Sequence, residues 1–116
     1  MCGISGMLAS PDEAVIQRMV NILSHRGPDG NGIWSDSDIA IGHTRLSIVD
    51  LMGSSQPIIG NNNTVLIANG EIYNHLELRS QINYQWSTSG DSEVILALHD
   101  DFIKCGGDKN HQDWVS

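Results

Sequence analysis

Basic side chains are scarce in this 116-residue sequence: six Lys and Arg stand against fourteen Asp and Glu, a formal net charge of −8. That balance opposes non-specific attraction to phosphate backbones and anionic lipid, so no nucleic-acid and no membrane partner is expected. Cysteine is scarce too. Cys2 and Cys105 lie near opposite ends with no spacing that suggests a disulfide framework or a zinc site, which fits a reducing compartment and assigns no metal. No run approaches the ~18 apolar residues of a membrane span, and no basic region precedes an apolar stretch at the N-terminus. A cytoplasmic location is therefore expected. Repeats, low-complexity segments and linkers are also lacking, and with 40% hydrophobic and 17% charged residues the composition is that of one globular domain rather than a disordered chain.

What is present begins with MCGISG, a cysteine directly after the initiator methionine. One reading makes Cys2 a small hydrophobe, the first core residue of a strand reading Cys2, Ile4, Gly6. The other is chemical. Removal of Met1 would leave one residue carrying a thiol, of unperturbed pKa about 8.5, and an α-amine of roughly 7.7 to 8 that can act as its base.

Further along, Ser10 suits an N-cap, Pro11 the first helical position and Glu13 the closing of a capping box. Val15, Ile16, Met19, Val20, Ile22 and Leu23 recur at helical spacing until Gly27-Pro28 stops the helix. Residues 39–51, IAIGHTRLSIVDL, predict a strand running into a turn, and 64–74, TVLIANGEIYN, a second strand broken at Asn69-Gly70 by a hairpin turn or a functional loop. A short helix is expected over 75–82. A stronger one over 91–104 carries Val94, Ile95, Leu98 and Phe102 on one face. Helix, strands, then helices predict an α+β fold rather than a doubly wound parallel sheet.

Six stretches, MCGISG, HRGPDG, GHTRLSIVDL, SSQP, NGEIYN and SGDSEVIL, occur in this order. Together they resemble the N-terminal glutaminase domain of glutamine-dependent asparagine synthetases, class II glutamine amidotransferases of the N-terminal nucleophile hydrolase superfamily. The resemblance covers residues 1 to about 100 and implies a partial αββα sandwich with antiparallel sheets. It also implies a chemistry in which the N-terminal cysteine thiolate attacks the side-chain amide of glutamine, ammonia leaves, and water hydrolyses the thioester to glutamate. Cys2 matches the nucleophile, its α-amine the proton shuttle, and Asn69 and Gly70 the oxyanion hole. Arg45 matches the arginine that binds the substrate carboxylate, Glu71 and Asp91 the positions that hold its ammonium group, and Ile48 and Val49 the pocket lining. No cofactor is implied for this chain, since ATP and magnesium belong to the synthetase domain.

Each assignment has a plainer counterpart in the residues themselves. Asn69-Gly70 is also a tight-turn dipeptide, Arg45 also a surface residue at a strand end, Asp91 also an N-cap, and Ile48 and Val49 also strand core. His43 reads as a packed or hydrogen-bonded histidine, and the HRGPD element, with His25, Arg26, Pro28 and Asp29, as a structural or pocket-bordering loop. Residues 101–116 depart from the family's pattern, with the glycine-rich stretch CGGDKNHQDWVS at 105–116 expected to be a loop or frayed tail, and residues 1–116 are expected to be a truncated glutaminase domain without its synthetase. Missing strands would leave an apolar sheet face uncovered, with Trp34, Trp86 and Trp114 as partial cover. Two functions follow: a glutaminase module that hands ammonia to a separate synthetase or is completed by a complementing chain, or a non-catalytic remnant serving as a glutamine-binding or interaction module.

Overall fold

A computed structural model describes residues 1–46, 55–61 and 63–106. Strands β1 (Gly3–Leu8), β2 (Gly30–Ser35) and β3 (Ile39–Arg45) form an antiparallel sheet in the order β1-β3-β2. β3 carries Ile39, Ile41 and Thr44, branched residues suited to its central place. Asp36 closes the β2–β3 turn by accepting the amide hydrogens of Asp38 and Ile39 at 2.8 and 2.9 Å. β2, GNGIWS, gave no strand signal in the sequence because two of its six residues are glycine, and Gly32 is there for clearance. A Cβ on Gly32 would run into the Gln56 carbonyl oxygen.

Helix α1 (Glu13–Ile22) lies on this sheet and buries Ile16 and Val20 against Ala40 and Gly42. Its N-cap is Asp12, not the expected Ser10. The Asp12 carboxylate accepts from Ala14 N at 2.8 Å and Val15 N at 3.4 Å, while the Ser10 hydroxyl bonds the Ala9 carbonyl. A 3₁₀ turn, Leu23–His25, ends the helix.

The register Gly3↔Thr44 and Ser5↔Gly42 turns Gly3, Ser5 and Met7 toward α1. The expectation that Cys2, Ile4 and Gly6 form the strand's core side is thereby corrected. Alternation puts them on the opposite face with His43 and Arg45, and Ile4 and Leu8 are 49% and 76% exposed there. One residue of slip would have put Cys2 beneath the helix.

The second packed unit joins β4 (Ile58–Ile59), β5 (Val65–Leu66), α2 (His75–Gln81) and α3 (Glu93–Lys104). Its apolar core is Ile58, Val94, Leu96 and Ala97. A tight hairpin links β4 to β5, with Gly60 N donating to Thr64 O at 2.8 Å and Asn63 in the left-handed region at φ 60°. The long strand expected over 64–74 is thus only Val65–Leu66, since its partner is equally short and side chains engage the backbone beyond. The buried stripe of α3 agrees with expectation at Val94 but not elsewhere: Glu93, Leu96, Ala97 and Asp100 are buried with it, while Ile95 and Leu98 are 36% and 38% exposed. Two acids lie on that stripe, so apolar periodicity pointed to a neighbouring face. No described helix is long and apolar enough to cross a membrane.

Candidate functional site

Cys2 directly precedes β1 and is held at two atoms. Its carbonyl accepts from Arg26 Nε at 3.3 Å, and its Sγ accepts the Leu46 N–H at 3.4 Å. The HRGPDG loop also holds Arg45. Gly27 packs so close to the Thr44–Arg45 backbone that a Cβ would lie 2.5 Å from Arg45 N, Asp29 N donates to Arg45 O at 2.9 Å, and Pro28 bridges to Arg45. His25 donates from Nδ1 to Ile22 O at 2.8 Å. Glycine at 27 is required for this approach, and the loop acts on backbone positions.

Opposite lies the segment after β5. Ala68 is gripped from two sides: its N–H donates to Gln56 Oε1 at 2.6 Å, and its carbonyl accepts from His43 Nε2 at 3.2 Å. His43 is 1% exposed, and burial lowers its pKa against the raising effect of the Ala68 bond, with Arg45 lowering it further. The imidazole is therefore neutral at pH 7, with its proton on Nε2, and Nδ1 has no partner among the described residues. Four residues on, Ile72 N donates to Asp91 Oδ2 at 2.6 Å. Between these anchors Asn69 and Gly70 are exposed and neither has positive φ. The two-residue hairpin that an Asn-Gly pair makes requires positive φ, so that reading is excluded. A Cβ on Gly70 would meet nothing within 4 Å, so packing does not demand glycine there.

Asp91 does not serve as the N-cap. Ser92 holds that position without a side-chain bond, and the Asp91 carboxylate is turned to Ile72. The alternative capping role is corrected for that reason. Ile48 and Val49 lie outside the described residues, as does Trp114.

Cys2, Arg45, Asn69, Gly70, Glu71 and Asp91 all line one cleft of about 760 Å³, a size suited to a small molecule. A guanidinium stands in one wall and two carboxylates in another. That arrangement complements a zwitterion presenting carboxylate and ammonium groups beside a thiol. Sequence reading had not assigned His75 and Tyr73, which line the same cleft, or Gln56, which positions Ala68. Gln56 had a signal in the SSQP stretch, but its bond to a residue twelve positions away had none. Among the described residues no group of three or more His, Cys, Asp or Glu could hold a metal ion.

The profile of the glutamine amidotransferase domain family matches residues 1–109. An Escherichia coli (strain K12) protein named asparagine synthetase B, glutamine-hydrolyzing, is 42% identical over 107 residues, covering 85% of this chain and 19% of that protein. Glutamine-hydrolyzing asparagine synthetase 1 of Arabidopsis thaliana is 36% identical over 109 residues, covering 88% of this chain and 19% of its own. The Bacillus subtilis (strain 168) protein of the same name is 36% identical over 110 residues, covering 85% and 17%. The chain thus spans about a fifth of the length of these relatives.

Proposed function

This chain belongs to the glutamine amidotransferase domain family, and on that footing we propose that it is the glutaminase part of an asparagine synthetase, releasing ammonia from glutamine. The observation that carries the reading is the single cleft shared by Cys2, Arg45, Asn69, Gly70, Glu71 and Asp91. With Met1 removed, the Cys2 α-amine takes the thiol proton and the thiolate attacks the amide carbon. The tetrahedral oxyanion is met by the Asn69 side-chain amide and the Gly70 N–H. Collapse breaks the C–N bond, and ammonia departs with the proton returned from the α-amine. Water then adds to the thioester carbonyl, giving glutamate and restoring the thiol. Arg45 pairs with the substrate α-carboxylate, and Asp91 and Glu71 with its ammonium. Burial of His43 in its neutral form fits a group that holds Ala68 rather than one that exchanges protons with substrate.

The reaction needs no cofactor from these residues. The ammonia acceptor is a synthetase active site, on a continuous or separate chain, and the setting is the cytoplasm.

Labelling with a diazoketone analogue of glutamine, followed by intact and peptide mass spectrometry, tests this directly. Expected are loss of Met1, one label on Cys2, and protection by free glutamine. Cys2→Ala should abolish glutamine hydrolysis and leave the folding free energy within about 1 kcal/mol, as for an exposed or half-buried small side chain. Retained Met1, or a processed and folded protein whose labelling glutamine does not suppress, would favour a non-catalytic module.

A further inference from the structure

Glu93 is 1% exposed at the first turn of α3, where an unsatisfied carboxylate would be costly. It is fully satisfied, and every hydrogen bond comes from the loop just before Asp91. Oε1 accepts from Ser87 N at 2.8 Å and Ser87 Oγ at 2.7 Å. Oε2 accepts from Thr88 N at 2.7 Å and Thr88 Oγ1 at 2.8 Å. Those four donors fill the lone-pair sites of the carboxylate.

Arg79 of α2 grips the same loop from its other side. Its Nη2 donates to Thr88 O at 2.8 Å and Gly90 O at 2.6 Å and stands 3.7 Å from Glu93 Oε2. The guanidinium also lies 4.2 Å from the ring centroid of Trp86, which meets Tyr84 edge-on. Arg79 Nε has no partner among the described residues, so the contact works through Nη2 and the flat face. Nothing here caps α3. The acid and the base are directed at residues 86–90, the next residue is Asp91, and Asp91 Oδ2 in turn holds Ile72 N at 2.6 Å.

We propose that Glu93 and Arg79 are positioning residues, a buried clamp that fixes the 86–90 loop so that Asp91 meets the ligand's ammonium group and, through Ile72, sets the Asn69-Gly70 segment. This rests on the glutamine reading of the cleft. A clamp formed before the ligand arrives removes the ordering cost of that wall from binding. The ammonium and oxyanion positions then move together, because one hydrogen bond joins the loops that carry them.

The test compares wild type with Glu93→Gln. The variant presents an amide donor to the Ser87 or Thr88 donors and so loses two acceptor contacts. Protection of Cys2 from the diazoketone is titrated with glutamine and with glutaramic acid, which lacks the α-amine. The half-protecting glutamine concentration should rise about tenfold while that of glutaramic acid stays within about twofold. An equal loss for both ligands, or none for either, overturns the clamp and leaves the glutamine reading standing. Amide hydrogen exchange supplies a readout independent of any ligand. Exchange at Ile72 should accelerate in the variant while β3 amides keep wild-type rates. Unchanged exchange at Ile72 also overturns the clamp. By contrast, wild-type labelling that glutamine does not suppress overturns the glutamine reading itself. Should Glu93→Gln fail to fold, Arg79→Lys, which keeps the charge and loses the planar fork and stack, carries the same measurements.

Discussion

Arg45 ends a central strand, and its backbone is fixed by Gly27, Pro28 and Asp29 before its side chain enters the cleft. A flexible surface arginine would need no such support. Arg45→Lys keeps the charge but loses the fork that suits a carboxylate, so KM for glutamine should rise at least about tenfold with kcat within about threefold. Steady-state kinetics separates this from a folding defect, which lowers apparent kcat through loss of active protein and leaves KM unchanged. Single residues were readable in the sequence only where chemistry is local. Cys2, Arg45 and Asn69-Gly70 drew attention by type and motif, while the plainer readings of Asn69-Gly70 and Asp91 fell to backbone angles and a bond to Ile72. Nothing in the sequence announces that the Ala68 carbonyl faces His43, because a buried histidine and a surface one are the same letter.

The helices and strands carry their own tests. Asp12→Ala should cost about 1 kcal/mol of folding free energy in chemical denaturation, and Ser10→Ala less than about 0.5, since Asp12 caps α1 and Ser10 does not. Helix existence was legible from apolar spacing: both long helices lie within the segments expected, α1 as Glu13–Ile22 and α3 as Glu93–Lys104. Faces were harder. On α3 the buried stripe runs through Glu93 and Asp100, so a periodicity count that scores acids as exposed turns the helix the wrong way. On β1 alternation alone leaves two faces, and only pairing with Thr44 and Gly42 chooses the one that puts Cys2 in the cleft. β2 escaped notice because glycine, a poor strand former, is needed where Gln56 and Pro57 pass over it.

At the scale of the whole molecule, two buried ionisable groups among the described residues have pKa values below their ordinary ones, and both set the same sign of pH dependence. His43 is lowered by burial. For Glu93, burial raises the value, but the bonds from Ser87 and Thr88 outweigh it and the net direction is down. The unfolded chain therefore binds the extra protons, and stability is full above the unfolded values and falls as pH drops below them. Thermal midpoints should begin to decline below about pH 6.5 through His43 and decline again through the carboxylate range near 4.3 through Glu93. His43→Asn should flatten the first step and Glu93→Gln the second; wild-type midpoints independent of pH between about 5 and 7 would contradict the first assignment, and midpoints unchanged between about 3 and 5 the second.

The two packed units, α1 on its three-stranded sheet and α3 on the β4–β5 hairpin, meet around the cleft, where contacts among the described residues include His43 to Ala68 and Gln56 and Pro57 against Gly32. The ligand cleft is thus the seam of the protein, with Cys2 and Arg45 on one bank and Asn69, Glu71 and Asp91 on the other. A molecule bound across it acts as mortar. At a concentration a hundred times its Kd, glutamine should add about 2.7 kcal/mol to stability, and calorimetry would show the melting point climbing with glutamine while glutaramic acid, which engages one bank less, lifts it less. The same small molecule would then be both the cargo of the cleft and the keystone that keeps its walls from parting.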